Sequence, residues 1–432
     1  MNNSPESQRT KTLGSLFQGY EGPAFSIRLW DGWQWALLPG EKPVCTIVIE
    51  TPKALESLVA EPSEIALGEA FIHRDLEIEG DIFSVFSIAE HIFNRPLSLR
   101  QRLFERISRT FFGFARWLEQ GPRHSLRRDR SAISHHYDQP VEFFRPWLGE
   151  SLAYSCAYFR TREDPLDVAQ EQKLELISRK LRLQPFERFL DIGCGWGSLV
   201  LHAASKYRVH AEGITLSREQ AEAAKRRIAQ ARLDQLCVAE LRDYRNLGDL
   251  RESFDKIASV GMFEHVGLAN LPEYFGTVRQ LMRPGGVFLN HGITRSYLSP
   301  KRKSSFIDQY VFPDGELVTL SQALQAAESE GLEVRDVENL REHYELTLRC
   351  WVEGLRRNAD TLLEYVPPVT YRIWLLYMAG SAAAFRRGDI AVHQVLLSRP
   401  DRGQSQLPLT RGDWYSVNPP RLVESSRQEV EA

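Results

Sequence analysis

Residues 188–204, RFLDIGCGWGSLVLHAA, decide the fold: an apolar run, a glycine-rich turn and an amphipathic run follow one another directly. Phe189, Leu190 and Ile192 read as a buried strand, and Ser198 to Ala204 as the helix after it. Gly193, Gly195 and Gly197 can take backbone conformations and close approaches barred to other residues, so a bound nucleoside would sit at this turn. The spacing is GxGxG behind an acidic Asp191. The dinucleotide fingerprint instead runs GxGxxG, with its acidic residue at the end of the next strand. Here the next strand ends EGITLSREQ, with Thr215 at its tip. Glycine also serves plain packing at many strand-to-helix junctions, so the turn alone leaves cofactor binding and packing equally open.

Order along the chain extends the reading. FDKIASVGMFEHVG, 254–267, reads as a later strand, and LMRPGGVFLNHGI, 281–293, as a turn at Pro284, Gly285 and Gly286 entering another. From about 131 to 400, strand-like apolar runs alternate with amphipathic helical runs, which predicts an α/β, Rossmann-like domain: a mostly parallel sheet flanked by helices. Ligands of such sheets bind outside the carboxyl ends of the strands, where Glu264 and His291 would both lie.

Upstream, FSIRLW and WQWALL flank Asp31-Gly32 like a tight hairpin, and CTIVIE adds a strand. Thr51 and Pro52 suit an N-cap and first helical residue for KALESLVA, and IFSVFSIAEHIF reads as a packed helix. These make a small α/β domain over 15–94, behind a flexible lead over 1–14. Residues 95–130 form a linker: LSLRQRLFERISRTFFGFARWLEQ, 97–120, is a basic amphipathic helix, and GPRHSLRRDR is arginine-rich. Two readings stay open for it, a helix packed on the main domain or one lying on anionic lipid. Residues 401–432 are too polar and interrupted to build a core and read as a flexible tail.

At 432 residues, 43% hydrophobic and 26% charged, the chain has ordinary globular composition with room for a large core. A formal net charge of −3 argues neither for nor against an anionic partner, so only the local distribution of charge can help. The five cysteines, Cys45, Cys156, Cys194, Cys237 and Cys350, are odd in number without a CxxC pair, so neither a disulfide framework nor a metal site is suggested. A reducing cytoplasm fits. The N-terminus lacks the apolar run of a signal peptide and no stretch is long enough to span a bilayer, so membrane contact would be peripheral.

HHYDQPVEFFRPWL, LAYSCAYF, LDIGCGWG, GITLSREQ, RDYR, SVGMFEHVG, RPGG and YVFPDGEL resemble, in order and spacing, successive motifs of the cyclopropane-fatty-acyl-phospholipid synthases. The resemblance covers about 131–400, and LGEAFI is similar to the small N-terminal domain of full-length bacterial members. It implies a class I methyltransferase fold that binds S-adenosylmethionine, with a bicarbonate ion as general base. Carried over by motif, Tyr154, Ser155, Asp191, Gly193, Gly195, Gly197, Thr215, Gln220, Asp243 and Tyr244 would surround the cofactor. Cys156, Glu264, His291, the backbone at Ile293 and Tyr344 would hold the bicarbonate. The resemblance also implies unsaturated phospholipid acyl chains as substrate, peripheral contact at the anionic inner face of the membrane, a homodimer, and no nucleic acid.

The chemistry asks for such residues. An isolated alkene is a poor nucleophile, so a sulfonium methyl must be held against it. Attack leaves a carbocation, which aromatic faces can shelter; Tyr137, Phe143, Phe144, Trp147, Phe159, Phe263 and Tyr310 are candidates. A small fixed anion can then take a proton from the added carbon and let the ring close. Each residue also has an ordinary reading: Cys156 as core, Glu264 as a helix cap, His291 as a buried hydrogen-bond partner, Tyr344 as packing. One departure stands out: family members commonly carry a cysteine before AFR, where MAGSAAAFRRG has Ser381. Rival readings are a fatty-acid methyltransferase giving a methyl-branched or methylene product, methylation of a small amine, and a non-catalytic lipid-binding relative.

Overall fold

The computed structural model describes residues 5–55, 63–93, 139–299, 306–312 and 315–415. The basic helix and arginine-rich linker, together with Tyr137, lie outside the described residues. The described chain falls into two compact units, one of 5–93, 306–312 and 355–384, the other of 139–299, 315–354 and 385–415.

In the first unit β1 (Phe25–Leu29), β2 (Gln34–Ala36), β3 (Cys45–Ile49) and β4 (Leu76–Gly80) form a sheet ordered β2-β1-β3-β4. The hairpin forms at Asp31-Gly32, where Gly32 sits at φ +83° and Asp31 Oδ1 accepts the Trp33 N–H at 3.0 Å. Thr51 caps as expected, its Oγ1 accepting the Ala54 N–H at 3.1 Å. The expected loose lead is instead a helix, Pro5–Leu16. Leu13 and Leu16 pack with buried Phe17 against Phe25 and Ile27, which gives this polar segment one apolar edge to dock. Residues far along the chain join this unit. Arg372 donates to the carbonyls of Phe71 and Leu76 at 2.7 and 3.2 Å, pairs with Glu77 at 3.0 Å, and lies 4.0 Å over the Phe71 ring.

The second unit is built on β5 (Arg188–Ile192), β6 (His210–Thr215), β7 (Cys237–Leu241), β8 (Phe254–Val260), β9 (Met282–Arg295), β10 (Glu333–Asn339) and β11 (Ile390–Ser398), ordered β10-β11-β9-β8-β5-β6-β7. β5 to β9 run parallel, and β11 is antiparallel to both of its neighbours. Helices cover both faces. Leu174, Ile177, Val200 and Ala203 pack on one, and Tyr274, Phe275, Val278 and Ala327 on the other.

Two details differ from the sequence reading. Pro284 to Gly286 form an irregularity within β9 rather than a turn before it: pairing jumps from Phe254–Met282 to Lys256–Val287, and Gly285 takes φ +81°. A bulge absorbs residues that punctuation-rich sequence would assign to a loop. The expected tail is ordered over 401–415, with Trp414 only 3% exposed in the core. Arg182 pairs with Asp413 at 2.8 Å and stacks 5.1 Å from the Trp414 ring, so one buried aromatic and its cations fasten an otherwise polar segment.

Candidate active site

A pocket opens at the carboxyl ends of β5, β6 and β8, where the switch in strand order leaves a crevice. Its empty space is about 1170 Å³ with the open mouth counted. The glycine turn forms its floor. The N–H groups of Gly193 and Cys194 both donate to the Ile214 carbonyl at 2.9 Å, pinning the turn to β6. Gly193 has φ +85°, and a Cβ there would lie 2.9 Å from Met262 Cβ, so backbone angle and close approach both demand glycine. At the tip of β6 the Thr215 hydroxyl donates to Gln220 Oε1 at 2.7 Å and accepts the Ser217 N–H at 3.2 Å.

Tyr154, Ser155, Asp191, Gly193, Gly195, Thr215, Gln220 and Tyr244 line this pocket. Gly197 and Asp243 are not among the lining residues. Gly197 serves packing: an added Cβ would meet Ala224 Cβ at 3.1 Å. Asp243 accepts from the Arg245 backbone N–H at 3.0 Å and from its guanidinium at 3.0 and 2.9 Å, and Arg245 is the one of the two that lines the pocket.

Lys173 was not singled out from sequence. It lines the pocket at 2% exposure and donates to Ser155 Oγ at 2.9 Å. Burial pushes its ammonium down to about 8, and burial pushes the Asp191 carboxyl up to about 7 while the Lys173 charge pulls it back. Asp191 Oδ1 is buried without a hydrogen-bond partner among the described residues. The readable signal was a lysine set among Ala169, Leu174 and Ile177 on the buried side of the helix Leu166–Leu181. Unmet polar capacity at Asp191, open space beside Gly195 and the glycine floor fit a polar, zwitterionic cofactor.

The aromatic wall is arranged otherwise than expected. Trp196 and Tyr244 line the pocket with Tyr154, while fully buried Phe144 and Trp147 stand behind, 4.9 Å from the Trp196 ring and 5.9 Å from the Tyr154 ring. Phe143 packs on Phe144, Phe159 on Ala157 and Ala169, and Phe263 on Tyr274. Tyr310 belongs to the first unit, where its hydroxyl donates to Glu69 at 2.8 Å.

Glu264 follows β8 in a short helical turn between Met262 and His265, both of which line the pocket. Val260 pairs with His291, after which β9 outruns β8, and Glu264 Oε1 accepts the Ile293 N–H at 2.6 Å in place of a strand neighbour. The Ile293 N–H expected to face an anion is thus already engaged. Glu264 Oε2 is buried without a partner among the described residues, and burial pushes this carboxyl up to about 7. His291 is 1% exposed and burial holds its ring neutral, down to about 3. Gln394 Nε2 lies 3.2 Å from its Nδ1; with that amide as donor, the ring proton belongs on Nε2, which has no partner among the described residues.

Cys156 is fully buried, its Sγ 3.2 Å from the Ala157 carbonyl and 3.8 Å from that of Leu340, and burial pushes the thiol far above its ordinary range. It stays protonated. The Tyr344 N–H donates to the same Leu340 carbonyl at 3.1 Å, and its ring lies 4.7 Å from that of Phe385. Of the expected base set, Glu264 follows β8 and bonds to β9 two residues beyond His291, whereas Cys156 Sγ and the Tyr344 backbone N–H both meet the Leu340 carbonyl. Among the described residues no group of His, Cys, Asp or Glu is placed to hold a metal ion.

Residues 124–395 match the family described as mycolic acid cyclopropane synthetase, and 12–96 match a domain of unknown function. A probable fatty acid methyltransferase of Pseudomonas putida is 41% identical over 397 residues, covering 90% of this chain and 95% of that protein. The cyclopropane-fatty-acyl-phospholipid synthase of Escherichia coli K12 is 38% identical over 61% of this chain and 66% of its own. The structure of the mycolic acid cyclopropane synthase CmaA1 with SAH and CTAB aligns with TM-score 0.58 and 32% identity, covering 62% of this chain and 97% of that one. With the parallel sheet, the glycine floor and these matches together, the chain belongs to the mycolic acid cyclopropane synthetase family, on the Rossmann-like fold of the S-adenosylmethionine-dependent methyltransferases.

Proposed function

We propose that this chain transfers the methyl carbon of S-adenosylmethionine to a cis double bond of a phospholipid acyl chain and closes a cyclopropane ring, with bicarbonate as the base. The observation that carries the reading is a buried acid and a buried neutral imidazole, Glu264 Oε2 and His291 Nε2, neither with a hydrogen-bond partner among the described residues; neither residue lines the pocket, but Glu264 stands between Met262 and His265, which do. The sulfonium cofactor, when bound, supplies an electrophilic methyl; bicarbonate, when bound, supplies a base for the proton left on the added carbon. The protein's own part is to hold and to exclude. Asp191 and the Lys173–Ser155 pair meet the polar end of the cofactor, and Thr215 and Gln220 its ribose side. His291 Nε2–H donates to an anion oxygen, while Glu264 donates in its acid form or accepts a hydroxyl proton in its ionised form. Trp196, Tyr244 and Tyr154, backed by Phe144 and Trp147, keep water from a developing cation.

A complete assignment adds the basic segment 95–130 as a peripheral contact with the inner membrane face, a homodimer, and the division into a small N-terminal domain and a catalytic domain. The test uses vesicles of unsaturated phospholipid, trideuteromethyl S-adenosylmethionine and bicarbonate, followed by mass spectrometry of the acyl chains. A ring keeps two deuterium atoms on the added carbon and survives ozone. A second reading, methyl transfer that stops at a methyl-branched or methylene product, is prompted by Ser381 in place of cysteine, and the Pseudomonas putida relative is named only a probable fatty acid methyltransferase. A methyl-branched alkene keeps all three deuterium atoms and is cleaved; a methylene product keeps two and is cleaved. Unmodified chains would refute both.

A further inference from the structure

Beyond His291 and Ile293, β9 runs on to Arg295 and enters a turn over Ser296–Ser299. The Ser299 N–H donates to the Ser296 carbonyl at 3.2 Å, and the Asp389 carbonyl accepts both the Ser296 N–H at 2.9 Å and the Ser299 hydroxyl at 3.0 Å. The turn is thereby closed on itself and tied to the start of β11 from both ends. At its tip Tyr297 is 83% exposed and Leu298 89% exposed. A closed, doubly anchored turn thus holds an aromatic and an aliphatic side chain outside the core. Tyrosine favours the headgroup level of a bilayer and leucine the acyl boundary beneath it. Cations stand close in the chain: Arg295 at the end of β9, and exposed Arg386 three residues before Asp389. The sequence continues through Lys301, Arg302 and Lys303, outside the described residues.

Position separates this patch from other exposed apolar residues. Phe186 is 73% exposed, but it precedes β5 at the amino ends of the parallel strands. Tyr297 and Leu298 leave the carboxyl end of the strand that carries His291. We propose that the Tyr297–Leu298 turn inserts into the headgroup–acyl boundary of an anionic phospholipid bilayer and sets the carboxyl edge of the sheet against it. An acyl chain leaving the bilayer would then emerge beside the candidate site; this consequence rests on the acyl-chain reading above, whereas docking itself does not.

The full chain is sedimented with vesicles of unsaturated phosphatidylethanolamine and phosphatidylglycerol, as wild type, as Tyr297→Ser/Leu298→Ser, and as Phe186→Ser. Methyl transfer to the same lipids dispersed in detergent micelles is measured in parallel. Loss of two interfacial side chains should weaken vesicle binding about 10-fold or more. Phe186→Ser should bind as wild type, and micellar turnover should be unchanged in both variants. Sedimentation of the double variant at the wild-type level overturns the docking turn whatever the turnover. Loss of micellar turnover in that variant also counts against it, because the turn would then belong to the fabric of the site. Wild type that binds vesicles through the turn yet modifies no micellar lipid would sink the acyl-chain reading and leave the docking turn standing.

Discussion

Glu264 shows what burial does to one carboxyl. Its folded value, about 7, stands above the ordinary 4.5 because desolvation outweighs the Ile293 N–H it accepts. A raised acid stabilises the fold fully only below its unfolded value, and that contribution is lost as pH rises through about 7. Glu264→Gln should therefore gain stability that grows from pH 5 to pH 8, reaching at most about 3 kcal/mol by urea denaturation, while turnover falls about 100-fold or more. A gain independent of pH would refute the raised carboxyl. Lys173→Met should weaken S-adenosylhomocysteine binding about 10-fold by calorimetry, since Ser155 loses its donor and Asp191 loses the ammonium that favours its ionised form. Wild-type affinity would make Lys173 a packing residue. The position of Glu264 just after β8, and of His291 opposite the last paired residue of β8, was legible because the two apolar runs before them read as strands. Lys173 was not, because a lysine in a helix reads as surface and its partner Ser155 lies in an aperiodic stretch. Gly197 and Asp243 share the motifs of the lining residues but do not themselves line the pocket, a distinction that spacing does not carry.

At the scale of elements, the contact between β6 and the glycine turn leaves no spare volume. A Cβ on Gly213 would lie 2.8 Å from both Cys194 Cβ and Val200 Cγ2. Gly213→Ala should cost about 1–3 kcal/mol through overpacking and weaken cofactor binding with it, because Gly193 and Cys194 hang from neighbouring Ile214. An unchanged denaturation midpoint would show that the turn yields freely. Strands and helices of the second unit were readable from alternating apolar runs, since each run faces a core on a fixed period. The segment 401–415 was not, because a single tryptophan fixes it. Trp414→Ala should cost about 3–5 kcal/mol, far more than a residue of a loose tail could.

For the whole molecule, the sequence predicted one continuous catalytic stretch over 131–400, but residues 306–312 and 355–384 group with the small N-terminal sheet. Motif order along a chain says nothing about which unit an intervening helix completes, so this threading had no readable signal. It has a consequence for stability. The Arg372 side chain is 11% exposed, and its partners, Glu77 and the carbonyls of Phe71 and Leu76, all come from the N-terminal region. A chain beginning at residue 131 would keep Arg372 and lose every one of them. The pair with Glu77, whose side chain is 34% exposed, is worth only about 1 kcal/mol, but the guanidinium would lose both carbonyl acceptors as well, and the apolar side chains of 355–384 would be stripped of their sheet at the same time. Such a chain should aggregate on size-exclusion chromatography and unfold at lower temperature than the full chain, even though every residue lining the pocket is retained. A monodisperse product with the full chain's unfolding temperature would mean that the catalytic stretch folds by itself and that the small unit contributes nothing to its stability.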